Sequence, residues 1–144
     1  MGIEIRAPQS ETEWQDYYDL RYRLLRQPLG KERGSERNDG DNIGIHFALY
    51  DCNILKAIAR LDQSEDKISQ VRFVAVEDNQ QGKGYGRLIM QATEDLSKAK
   101  GNFKIILHAR DYAVDFYLKL DYKLIEPSYK LFDVLQHFLM EKEL

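Results

Sequence analysis

The chain has 144 residues, 43% of them apolar and 31% charged, with a formal net charge of −3. That is enough for one ordinary domain with a real core, and the acidic balance argues against nucleic acid as a partner. No apolar run reaches the roughly 18–20 residues of a membrane span, so no membrane partner is expected. The opening Met1-Gly2-Ile3-Glu4-Ile5-Arg6 has neither the apolar stretch of a secretory leader nor the Ser or Thr of a myristoylation motif. Cys52 is the one cysteine, which excludes an internal disulfide and fits a cytoplasmic protein.

Ile3-Glu4-Ile5 alternates as a short strand does. Ser10-Glu11-Thr12-Glu13 is a capping box and predicts a helix start. Trp14, Tyr17, Tyr18, Leu24 and Leu25 mark the buried face of that helix, and Pro28 and Gly30 end it. Arg21 falls on the same face, where a guanidinium needs a partner. Residues 31–41 are highly charged, hold Gly34 and Gly40, and read as a mobile loop of the kind that often faces substrate. Strands are predicted over 45–50, 54–61 and 67–76, an antiparallel meander with turns at 51–53 and 62–66. Cys52 sits in the first of these turns and is not expected to be catalytic. A helix over 84–100 stops at Gly101-Asn102, and the strand over 103–108 should lie parallel to 67–76 after the crossover. Asp111 can cap a short helix with Ala113, Phe116, Tyr117 and Leu120 on one face. Segments 122–125 and 129–140 supply the last strands. The order β-α-β-β-β-α-β-α-β-β is of the α/β class, a mixed sheet with helices on its faces, expected as one domain over 1–144.

The strand ending in Val74-Ala75-Val76 leads into Gln81-Gly82-Lys83-Gly84-Tyr85-Gly86 and then a helix. The first turn of a helix leaves four N–H groups unpaired, and the helix dipole adds positive charge there. Lys83 and Arg87 add full charges, and glycine permits close approach. The expected ligand is a phosphate or pyrophosphate. The segment is neither a Walker loop nor G-x-G-x-x-G.

Its form, Q-x-x-G-x-G after V-A-V, resembles the coenzyme A loop of the GCN5-related N-acetyltransferases (GNATs). Ala113-Val114-Asp115-Phe116-Tyr117-Leu118-Lys119-Leu120-Asp121-Tyr122 resembles the A-x-x-F-Y-x-K-x-G-F segment of the same superfamily. Arg21-Tyr22-Arg23-Leu24-Leu25-Arg26-Gln27-Pro28-Leu29-Gly30, with Leu107-His108-Ala109-Arg110, is similar to a subgroup of acyltransferases of unassigned substrate. The sequence departs from the pattern at Asp121, where the family has glycine and where Asp tolerates the turn. It departs again at Arg110, where many relatives carry a cofactor-contacting asparagine.

The resemblance implies a GNAT-like acyl-CoA N-acyltransferase fold, a central mixed and largely antiparallel sheet flanked by helices. It implies acetyl-CoA as co-substrate, no metal, and direct attack by a small-molecule or peptide amine in a ternary complex. Gln81, Gly82, Lys83, Gly84, Tyr85, Gly86 and Arg87 would hold the pyrophosphate, and Val74, Ala75 and Val76 the pantetheine arm. A main-chain N–H at Val76 would polarise the thioester. Phe116 belongs to the same cofactor set, and Arg110 would pair with a phosphate. Tyr117, a phenol with pKa about 10, would protonate the departing thiolate. Glu77 is a candidate base, acting through water, and His46, His108 and His137 titrate in a useful range. Arg21, Arg23 and Arg26 could bind an acidic or phosphorylated acceptor, with His46 and His137 also at the acceptor site. Exposed C-terminal strands suggest a homodimer. The other reading of the same motifs is a non-catalytic acyl-CoA sensor or subunit.

Overall fold

A seven-stranded sheet organises the computed structural model, which describes residues 2–78 and 82–144. The elements in chain order are β1 (Ile3–Arg6), α1 (Glu11–Leu25), β2 (Ile45–Asp51), β3 (Ile54–Glu65), β4 (Ile68–Val76) and α2 (Tyr85–Ala99). There follow β5 (Lys104–Arg110), α3 (Val114–Leu118), β6 (Lys123–Leu131) and β7 (Leu135–Glu143). Strands lie in the order β1-β2-β3-β4-β5-β7-β6. Neighbours are antiparallel except β4 and β5, the pair joined through α2. The expected mixed, largely antiparallel sheet with flanking helices is the observed one.

The alternation along β2 and β3 sorts the core into two layers. Ala48, Tyr50 and Ile58 face α1 and pack with Tyr17, Leu20 and Leu25. Phe47, Leu49, Ala57, Ala59 and Leu61 face α2 and pack with Tyr85, Ile89 and Met90. The Ser10 hydroxyl accepts from the Glu13 N–H at 3.1 Å and caps α1 as the sequence predicts.

Two irregularities in β4 position the site. Ile58 of β3 lies opposite Ala75, but Arg60 lies opposite Arg72, so β4 carries one extra residue. Phe73 sits in this bulge at φ 56°, a strained conformation for a bulky side chain. On its other edge β4 pairs with β5 only as far as Val71 opposite Leu107. Beyond that point the two parallel strands part.

Three expectations need correction. The β3 strand runs to Glu65 rather than Leu61, because Asp62 and Gln63 continue the ladder with Gln70 and Ser69. Pro127 does not separate the last two strands. It lies within β6, an edge strand that bulges there and tolerates a missing N–H. The turn falls instead at Phe132 and Asp133, both at positive φ. The segment 31–41 is tied down, not a free loop. The Tyr22 hydroxyl donates to the Lys31 carbonyl, Arg26 to that of Ser35, and Asp41 is held by two arginines. Asp121 adopts φ 72°, the turn geometry that glycine would otherwise supply. Among the described residues no helix is long and apolar enough to cross a membrane.

Candidate active site

The parting of β4 and β5 opens two cavities that meet at one tyrosine. The larger, about 550 Å³, lies between the C-terminal half of β4, the start of α2 and α3. Val74, Ala75, Val76, Gly82, Gly84, Tyr85, Gly86, Arg87 and Phe116 line it. Gly82 and Gly84 take φ 86° and 85°, open to glycine at little cost. At Gly86 the constraint is space, since a Cβ would lie 2.9 Å from Phe116 Cζ and 3.5 Å from Val76 Cγ2. The first helical hydrogen bond of α2 runs from the Leu88 N–H to the Gly84 carbonyl. The N–H groups just before it, from Tyr85 to Arg87, therefore have no partner within the helix. The Tyr85 hydroxyl donates to Asp51 at 2.5 Å and fastens this end of α2 to β2, so its side chain anchors the loop. Lys83 and Arg87 are exposed. Gln81, expected to open the loop, lies outside the described residues.

Tyr117 lines both cavities, as do Leu25, Val74 and Ala113. It is 7% exposed, and its hydroxyl has no hydrogen-bond partner among the described residues. Burial pushes the phenol's pKa up, so it holds its proton throughout the neutral range.

The smaller cavity, about 210 Å³, opens on the far side of Tyr117. Arg26, Arg72, Arg110, His108, His137 and Tyr129 line it, and among the described residues no Asp or Glu does. His137 Nδ1 lies 3.1 Å from the Leu135 carbonyl, which can only accept. In the neutral ring this puts the proton on Nδ1 and a lone pair on Nε2. The Tyr129 ring stacks on His137 at 4.4 Å. Burial lowers the pKa of His137, and the charges of Arg110, His108 and Arg26 lower it further, against the bond to Leu135. Burial and Arg72 lower that of His108.

Several candidates sit elsewhere. Arg21 is fully buried and lines neither cavity. Its Nη1 donates to both oxygens of Asp41, at 2.9 and 3.1 Å, so a carboxylate of the chain already occupies it. His46 is held at both ring nitrogens, 2.8 Å from the Tyr17 hydroxyl and 2.9 Å from the Asp41 carbonyl, and also lines neither cavity. Neither is free to meet an acceptor. Glu77 is gripped by Arg23 through two bonds of 2.9 and 3.0 Å and lines neither cavity. The same grip holds its pKa below the ordinary glutamate value, which weakens it as a base. Arg110 lines the smaller cavity, not the cofactor cleft, and donates to the Leu25 carbonyl and the Tyr112 hydroxyl. Arg26 and His137 do come together there. Arg72 and Tyr129 belong with them and carry no motif. The sheet order, which sets β4, β5, β7 and β6 side by side, brings them there.

The family model of the acetyltransferase (GNAT) domain matches residues 26–144. A candidate N-acetyltransferase from Lactobacillus plantarum has a similar structure, with TM-score 0.86 and 21% identity over 100% of this chain and 99% of that one. An aminoglycoside 6'-N-acetyltransferase in complex with coenzyme A is similar at TM-score 0.82 and 15% identity, covering 99% of this chain and 97% of that one. The PaiA N-acetyltransferase of Thermoplasma acidophilum, also in complex with coenzyme A, gives TM-score 0.77 and 14% identity over 100% of both chains.

Proposed function

The chain belongs to the GNAT acetyltransferase family, and from that premise we infer that it transfers an acetyl group from acetyl-CoA to an amine. The observation that carries the reading is the pair of cavities meeting at Tyr117, one beside a glycine-rich helix start and one lined by His108 and His137. The cleft fits the diphosphate of coenzyme A. Main-chain N–H groups at Gly82, Lys83, Gly84, Tyr85, Gly86 and Arg87 bind it. Val74, Ala75 and Val76 guide the pantetheine arm past Phe116 toward the parting of the strands. Two structural neighbours hold coenzyme A, which supports the same co-substrate here.

The acceptor enters by the smaller cavity. Its ammonium, with pKa near 10.4 if it is a simple alkylamine, must lose a proton before it can attack. His137 Nε2 takes that proton, a role Glu77 is poorly placed to fill. The nitrogen then forms its bond to the acetyl carbon as the carbon–sulfur bond breaks. Tyr117 gives its proton to the leaving sulfur, whose own proton affinity rises in the same dry cleft. The nitrogen loses two protons in all. One leaves to solvent through His137, and the other replaces the proton that Tyr117 gave up. No covalent enzyme intermediate is needed.

The test is thiol release from acetyl-CoA over an amine panel with Tyr117→Phe beside wild type. Loss of the acid should lower kcat by about 10²–10⁴-fold while leaving acetyl-CoA affinity near its original value. An unchanged kcat would remove Tyr117 from the chemistry. The reading also takes residues 1–144 as one catalytic domain working in the cytoplasm, with exposed β6 as the edge on which a second copy would pair.

A further inference from the structure

We propose that the acceptor is a small amine bearing a carboxylate or phosphate, its anionic group held by Arg26, Arg72 and Arg110. The proposal rests on the transferase reading above and adds the substrate class. Acidic residues outnumber Lys and Arg in the chain, 24 to 21, and away from the two cavities they find its arginines. Glu13 pairs with Arg6, Asp41 with Arg21 and Arg60, Glu77 with Arg23, and Asp19 with Arg33. Around the smaller cavity that pattern reverses. Three arginines and two histidines converge there, and none of the three arginines has a carboxylate partner among the described residues.

Part of their donor capacity is also unspent. Arg72 makes no hydrogen bond to the described residues, although it lies 5.1 Å from the Phe73 ring centre. Arg26 spends Nε on the Ser35 carbonyl and Nη1 on that of Leu25, which leaves Nη2. Arg110 uses both Nη atoms and leaves Nε. Gathering like charges in a half-buried cavity is unfavourable unless an anion completes it. Guanidinium forks match carboxylate and phosphate oxygens. The cavity volume of about 210 Å³ equals roughly seven liquid waters, which suits a metabolite-sized amine. An anion seated on these arginines lies in the same cavity as His137 and Tyr117, so the amine end needs to span only that space.

The experiment measures thiol release with matched amines. β-Alanine against β-alaninamide tests the carboxylate, and phosphoethanolamine against ethanolamine tests the phosphate. At least one charged member should exceed its neutral counterpart in kcat/KM by about tenfold or more, the weight of one charge-assisted hydrogen bond. Arg72→Gln should erase most of that margin, chiefly through KM, and Arg72→Lys should restore part of it. Equal or better use of neutral amines or diamines by wild type would overturn the proposal. Calorimetry with inorganic phosphate and with malonate, in the presence of coenzyme A, covers the case in which no tested amine reacts. Saturable binding that Arg72→Gln weakens supports the anion site, and no binding of either anion overturns it. Thermal stabilisation by acetyl-CoA, measured alongside, reports separately on the transferase reading.

Discussion

Arg21 and Arg26 lie within two turns of each other at the end of α1, yet they belong to opposite electrostatic regimes. Arg21 joins Arg60, Asp41 and His46 in a buried cluster where Asp41 bridges the two guanidiniums at 2.9 and 2.8 Å. Arg26 joins Arg72, Arg110 and two histidines around a cavity that no carboxylate among the described residues lines. In the first cluster the charges answer one another, and their work is to lock residues 31–41 against the sheet. In the second no described carboxylate answers them, and their partners are neutral oxygens and aromatic rings. A buried charge is therefore weak evidence of function until its partner has been found. The arginine with the strongest positional argument in the sequence is the structural one.

The largest effect that should separate the clusters is on stability. Asp41→Asn leaves the buried Arg21 guanidinium without an anion and Arg60 with Asp62 alone, and should cost about 3–5 kcal/mol, read from urea unfolding. A loss below about 1 kcal/mol, the scale of an exposed pair, would erase the distinction. Burial raises the Asp41 pKa, but the bond from Arg60 and the charge of Arg21 outweigh it and leave the pKa below 3.8. A depressed carboxylate stabilises the fold above its unfolded pKa, near 3.8. That contribution is lost as pH falls through the lower folded value, so Asp41→Asn should flatten acid unfolding in that window.

The two histidines sharpen the contrast with a smaller effect. His137→Gln should lower kcat by about 10²-fold and abolish its acid limb. Because the folded pKa of His137 lies below 6.5, the base is neutral above that value and the wild-type rate should fall only as pH drops below it. His46→Gln should leave the pH profile alone and cost about 1–3 kcal/mol of stability through its two lost bonds. An acid limb that survives His137→Gln would move the base elsewhere. Smallest of all, Arg72→Gln should change unfolding stability by no more than about 0.5 kcal/mol, since it breaks no hydrogen bond or ion pair among the described residues. A large loss would mean that Arg72 holds the fold.

What could be read from the sequence was local. The capping box at Ser10, the glycines at 82, 84 and 86, the turn at Asp121 and the buried phenol at Tyr117 each follow from a few neighbouring residues. The crossover through α2 made β4 and β5 parallel on general grounds. Pairings between distant residues were not legible. Nothing near Arg21 announces Asp41 as its partner, and nothing near Glu77 announces Arg23. The bulge at Phe73 carries no glycine to mark it. The expected gap between 125 and 129 falls inside β6, an edge strand that absorbs Pro127, while the real turn at Phe132-Asp133 lacks glycine and proline. Arg72 and Tyr129 reach the smaller cavity only through sheet order, which local periodicity does not encode.

The most direct measurement is calorimetric titration of well-folded protein with acetyl-CoA, with its melting temperature recorded at saturation. Main-chain donors at the start of α2 should give saturable binding at one site per chain. At a hundredfold excess over Kd the fold should gain about 2.7 kcal/mol. Protein that melts cooperatively yet yields neither heat nor thermal protection would contradict the cleft's assignment, and with it the chemistry ascribed to Tyr117.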